Sequence, residues 1–252
     1  MADTASSLET SQSAPSMSFF SRVIGVFIEP GETFEDIARK PGWVAPLGLL
    51  VLASLIFTEA MLVKIGMARI IMHSLQQSGR AAQMDPAQLN QAIAKGAPFG
   101  AIVVQVLAVV GVPIFLLIIA GFGLLVMNVF FGEKASFKQV FSVTCYADMP
   151  GILGMLMGVT VVIFGDPSSF NPQSPAPTNL GFFLNPLTTS HAFMALANSL
   201  DFIIVWFLIL LAIGLSRVSR KKVASGSIFM TYVGAWLLVI IAKVGFAMLA
   251  GG

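Results

Sequence analysis

From Pro98 to Phe131 the chain passes without one charged side chain. A run of about 18 or more such residues reads as a membrane span. This one is longer still. As a helix it rises ~50 Å, against a hydrocarbon core of ~30 Å, so it must tilt, kink or protrude. Pro113 lies inside it and removes a backbone hydrogen bond, which predicts a kink. Composition agrees: 56% of the residues are hydrophobic and 10% charged, where soluble domains carry about 25% charged residues. The expected fold class is all-α: a polytopic membrane helical bundle of five transmembrane helices with short N-terminal interfacial helices.

The division follows from charge and punctuation. Residues 1–17 are rich in Ser, Thr and Ala and read as a disordered tail. They lack a basic region followed by an apolar core, so no cleaved signal peptide is expected. Residues 18–41 read as two cytoplasmic interfacial helices. In the first, Phe19, Phe20, Val23, Ile24, Phe27 and Ile28 share one face, with Ser21, Arg22 and Gly25 elsewhere. Packing against the spans is the alternative. In the second, Glu32 to Lys40, acids lead and bases follow, which suits the helix dipole.

Residues 42–252 form the membrane domain, with spans expected at about 43–63, 98–131, 147–164, 200–216 and 227–249. Trp43 is an interfacial anchor for the first. Asp85-Pro86-Ala87-Gln88 predicts a capping box and a helix leading into the second. Asp148 and Pro150 interrupt the third, so its core is placed from about Met149, with Asp148 as a cap or interfacial residue. Gly154 and Gly158 form a G-x-x-x-G that admits a close helix neighbour. Ser190 is placed to cap a short helix before the fourth span.

The fourth span ends in the basic cluster Arg217, Arg220, Lys221 and Lys222, which resists translocation and sets the orientation. The N-terminus is then cytoplasmic and the C-terminus outside, in the cell (inner) membrane. The loop from Gly165 to Asn198 has no Lys or Arg and is easily translocated.

Three charges fall within spans. Glu59 lies ~24 Å along the first span from Trp43, and Lys243 ~24 Å along the last from Ser227. Asp201 opens the fourth from the outside, at similar depth. An unpaired charge there is costly, so Lys243 is expected to face the bundle interior and pair with Glu59, Asp201 or both. Such a cluster is either a register-fixing salt bridge or part of a transport path.

Residue types argue against other chemistry, and an integral membrane enzyme stands third among the readings. The single cysteine, Cys145, permits no internal disulfide. His73 and His191 are far apart and no metal-ligand spacing is present. No nucleophile-and-base constellation or phosphate-binding loop appears, so no catalytic residue, metal or cofactor is expected. No basic and aromatic stripe suggests nucleic acid.

Four stretches carry a family resemblance: EPGETFEDIARKPGW (Glu29 to Trp43), GEKASFKQVFSVTCYADMPGIL (Gly132 to Leu153), LDFIIVWFLILLAIGLSRVSRKK (Leu200 to Lys222) and the terminal span. In their order they resemble the Yip family, named for Ypt/Rab-interacting proteins, and its prokaryotic branch in particular. The resemblance implies a five-helix bundle, a cytoplasmic N-terminus and a very short tail after the last span. Eukaryotic relatives are trafficking adaptors that engage Rab GTPases. This chain has no acidic-aromatic segment like theirs, so Rab binding is not carried over.

Two functions are expected in turn. The first is a non-enzymatic membrane-organising or partner-binding protein, whose partners are the lipid bilayer and other proteins or further copies of itself. The second is a small transporter or channel built on Glu59, Asp201 and Lys243.

Overall fold

A computed structural model describes residues 16–167 and 170–250. The expected disordered tail falls, as far as residue 15, outside the described residues, as do Gly251 and Gly252.

The described residues are helical, in the order α1 (Phe19–Ile28), α2 (Pro30–Arg39), α3 (Val44–Lys64), α4 (Met67–Gln77), α5 (Pro86–Leu125), α6 (Phe137–Ala147), α7 (Met149–Phe164), α8 (His191–Ser199), α9 (Phe202–Val218) and α10 (Ser225–Ala250). Among the described residues there is no strand. Helices α3, α5, the α6–α7 pair and α10 are long and apolar enough to cross a membrane, and α9 is a shorter apolar helix of 17 residues. At ~26 Å it approaches the hydrocarbon thickness. In the most apolar windows of α5 and α10 only 11% of the residues are buried. Their outward faces therefore need hydrocarbon around them, and the chain is a polytopic membrane bundle.

Local chemistry explains the starts and stops. Asp85 accepts from the Gln88 N–H at 2.8 Å, and Gln88 returns the bond to the Asp85 N–H at 3.3 Å. Pro86 follows at the first helical position, where no N–H is needed. From this capping box α5 runs for 40 residues, through both Pro98 and Pro113. At ~60 Å it is twice the hydrocarbon thickness, so much of it projects beyond the bilayer. A π-helical turn, Val126–Phe130, closes it, and Gly132 reverses the chain at φ 63°.

The third apolar segment runs from Phe137 to Phe164. Helix starts at Phe137, and every residue from Val140 to Ala147 is buried. This stretch carries the hydroxyls of Ser142 and Thr144. They are satisfied inside the helix: Ser142 donates to the Lys138 carbonyl at 2.7 Å and Thr144 to that of Val140 at 2.9 Å. The segment then breaks at Asp148, and Pro150 sits in the first turn of α7.

α9 is the axis of the packing. Phe207, Leu208, Leu210, Leu211, Ala212 and Leu215 are all buried. α2 and α6 pack along its second half, while α3 packs on α5 and α7, and α10 on α8 and α9. Gly214 makes this possible. A Cβ there would overlap Val143 of α6 and stand 2.8 Å from the Phe34 ring of α2.

Candidate functional site

One end of the bundle is closed by the α1–α2 hairpin. Ser18 caps α1 by accepting from the Ser21 N–H at 3.2 Å. Four residues into the helix, Arg22 turns inward. Its guanidinium lies 2.8 Å from the Asp36 carboxylate of α2, with side chains 9% and 4% exposed. Arg22 Nε donates to the same oxygen at 2.9 Å, and the Met17 N–H joins it at 3.2 Å. Arg39 approaches the other oxygen at 3.8 Å. Several donors on one buried carboxylate are what a desolvated ion pair requires. The helices touch at Gly25, where a Cβ would overlap the Thr33 hydroxyl. Sequence periodicity places Arg22 off the apolar face of α1 and names no partner for it. The structure supplies that partner fourteen residues away, and Arg22 is buried with it.

Because Arg22 and Val26 face in, α1 presents Phe20, Ile24 and Ile28 outward, at 75%, 57% and 71% exposure. The inner flank is held by aromatic contacts: Phe27 meets Trp206 edge-on with centroids 5.5 Å apart, and Phe19 lies 6.5 Å from Tyr146. Trp43 packs against Phe141 at 5.4 Å, which sets one level of the bundle.

Beside the hairpin, Glu133 ties two loops together. It accepts from the Ser219 hydroxyl and from the backbone N–H groups of Arg220 at 3.1 Å and Lys221 at 2.9 Å. Lys221 Nζ donates to the Gly132 carbonyl at 2.7 Å. The Ser219 hydrogen bond, aided by the two N–H groups and the Lys221 charge, holds the Glu133 carboxyl below its ordinary value. No sequence motif marks this latch. Of the basic cluster, Arg217 lies against Gly31, Lys221 caps the loop, and Arg220 and Lys222 are exposed, Lys222 at φ 58°. Exposed Lys40, Lys134 and Lys138 widen the basic rim.

The three charges expected to cluster have separate partners. Glu59 on α3 accepts from Gln105 of α5 at 2.6 Å. Asp201 caps α9, accepting from the Ile203 N–H at 2.8 Å and the Thr178 hydroxyl at 2.7 Å. Lys243 is exposed on α10 and donates to Ser199 at 3.0 Å. It neither faces the interior nor pairs with Glu59, whose helix α3 packs on α5 and α7, nor with Asp201, whose carboxylate is taken by Thr178 and the Ile203 N–H. Asp201 sits instead in an ordered polar loop, where Ser174 bonds Asn179 and Asn198 and the Phe202 N–H bonds the Thr178 carbonyl.

The glycine pair serves contacts within the chain. A Cβ on Gly158 would stand 2.8 Å from Phe57 of α3, and one on Gly154 would stand 3.5 Å from Ile203. Ser190 caps α8 through the Phe193 N–H at 3.3 Å, and exposed His191 reaches the Gln77 carbonyl at 3.0 Å. Among the described residues no group of His, Cys, Asp and Glu is arranged to hold a metal ion.

Residues 24–246 match the profile of the Yip1 domain. No curated protein and no solved structure matches the chain.

Proposed function

Because this chain belongs to the Yip1 domain family, we propose that it is a non-enzymatic membrane protein that organises the bilayer surface or captures partners there. The observation that carries this is the Phe20–Ile24–Ile28 stripe. It stands exposed on a helix that a buried ion pair fastens to the bundle. A free amphipathic helix could turn its apolar face inward. This one is held with three large apolar side chains facing out, which suits shallow insertion among headgroups. The rim of Lys40, Lys134, Lys138, Arg220 and Lys222 beside it favours anionic lipid.

In this reading the hairpin end is cytoplasmic, by the excess of Lys and Arg there over Lys64, Arg69, Arg80 and Lys95 at the other end. α9 is the fifth span. The chain sits in the cell membrane as a member of the family's prokaryotic branch. Protein partners or further copies would meet the stripe in the plane of the interface. Rab binding forms no part of the proposal. The separate partners of Glu59, Asp201 and Lys243 favour this reading over a transport path through them.

The experiment places a photo-crosslinking residue at Phe20 or Ile24 in the full chain, in proteoliposomes and in cells. Adducts with lipid, or with a discrete protein, support the reading. Labelling by water alone at both positions sinks it.

A further inference from the structure

A groove of ≈ 530 Å³ runs between α5 and α10 over the face of α9. Its walls are apolar: Phe115 and Phe122 of α5, Phe207 of α9, and Tyr232 and Trp236 of α10 among them. It is closed at one end, where Phe122 meets Tyr232 edge-on at 5.1 Å and the Tyr232 hydroxyl reaches the Ile119 carbonyl at 3.5 Å. Elsewhere its rim, with Phe115, Ile118 and Val239, is exposed along helices that face hydrocarbon. One polar side chain breaks this lining: Asp148, at the α6–α7 junction.

Asp148 lies seven residues beyond Phe141, ~10 Å of helix rise past the level set by Trp43. No ion pair or hydrogen bond from the described residues reaches its carboxyl group. In hydrocarbon such a group is costly and finds a partner. The protein does not supply one, and the groove is the space from which one can come.

We propose that this groove holds a single lipid chain bearing a hydroxyl group, with the hydroxyl bonded to Asp148. The volume falls within the range of about 300–1,000 Å³ usual for ligand pockets. A hydroxyl both donates and accepts, so it satisfies Asp148 whether the carboxyl is ionised or protonated. Shape selects a slim chain over a transmembrane helix of another protein or of a second copy. Helices approach closely in membranes through small residues, and here Ala235 stands among aromatic and branched side chains. The inference is independent of the surface role proposed above, since it concerns a groove on the hydrocarbon-facing side of α5, α9 and α10 and none of the hairpin.

The test uses the full chain in phosphatidylcholine nanodiscs. Two photoactivatable probes of equal chain length are compared, a hexadecyl alcohol and its methyl ether, with adducts mapped by mass spectrometry. The alcohol is expected to label Phe115, Phe207 or Trp236, and excess hexadecanol to compete. Asp148→Leu is expected to lower alcohol labelling about tenfold, the loss of one hydrogen bond to a charged group, and to leave ether labelling unchanged. Should Asp148→Leu not fold, Ala235→Trp fills the groove, leaves Asp148 in place and is expected to lower labelling equally. Equal groove labelling by the two probes overturns the proposal. So does labelling confined to the outer face of α5 around Ile102 and Val106, or a crosslink showing a second copy seated in the groove.

Discussion

Arg22 and Asp36, fourteen residues apart, meet at 2.8 Å in a contact that water scarcely reaches. Without Arg22, Asp36 keeps only exposed Arg39 at 3.8 Å and the Met17 N–H at 3.2 Å; without Asp36, Arg22 loses its ion-pair partner. Arg22→Leu or Asp36→Leu should each cost roughly 3–5 kcal/mol of hairpin docking, whereas replacing both with leucine should cost much less. Limited proteolysis near Glu29, with thermal melting in detergent, measures this. A loss in the double equal to the sum of the two single losses would show that the pair is not coupled.

Steric fit tests the same hairpin independently. Gly25→Ala places a methyl group on the Thr33 hydroxyl. A destabilisation of about 1–3 kcal/mol is expected from such overpacking. Adding Thr33→Ala removes the overlapping oxygen and should recover most of the loss. Thr33→Ser keeps it and should recover little.

Glu133 predicts an acid response with a definite sign. Its folded-state affinity for protons is below the ordinary one, whose midpoint is 4.5. Its stabilisation is therefore fully present above pH 4.5 and is lost as pH falls through the lower, folded value. Glu133→Gln should be less stable than the wild type at neutral pH, and the difference should shrink as pH falls below 4.5. Melting curves at a series of pH values decide this. A gap that widens on acidification would contradict the latch.

Separate partners for Glu59 and Lys243 imply separate energetics. The effects of Glu59→Gln and Lys243→Met on melting should add within about 0.5 kcal/mol. Proteoliposomes of wild type and variants should carry no ion flux that depends on these residues. A large coupling energy, or flux that both variants abolish while folded, would revive the transport path.

How much of this was legible beforehand depended on where each side chain finds its partner. Partners within one turn could be read. The Asp85–Gln88 capping box and the Ser190 cap are of this kind, because donor and acceptor lie three residues apart. Partners across the fold could not. Arg22 read only as lying off the apolar face of its helix, and its burial depends on Asp36 from another helix. The core of the third apolar segment was placed from Met149 because Asp148 and Pro150 interrupt it, and the burial of Val140 to Ala147 ahead of that break depends on packing against other helices. Lys243 was expected to seek an acid. Depth along a helix follows from sequence position, but the flank on which that helix lies does not, and Ser199 is the partner on its flank.

The Gly214 crossing bears on the order in which the protein can be made. Phe34 of α2 leaves the ribosome early, yet the surface that covers it includes Val143 of α6 and Gly214 of α9, translated long afterwards. The Glu133 latch has the same asymmetry, since its donors are 86 to 88 residues downstream. Until α9 is inserted, the hairpin has a finished interior contact and an unfinished seat. A nascent chain halted before α9 should therefore carry a hairpin that proteases remove readily, and one extended past Val223 should not. A segment synthesised early is in this sense among the last to be locked.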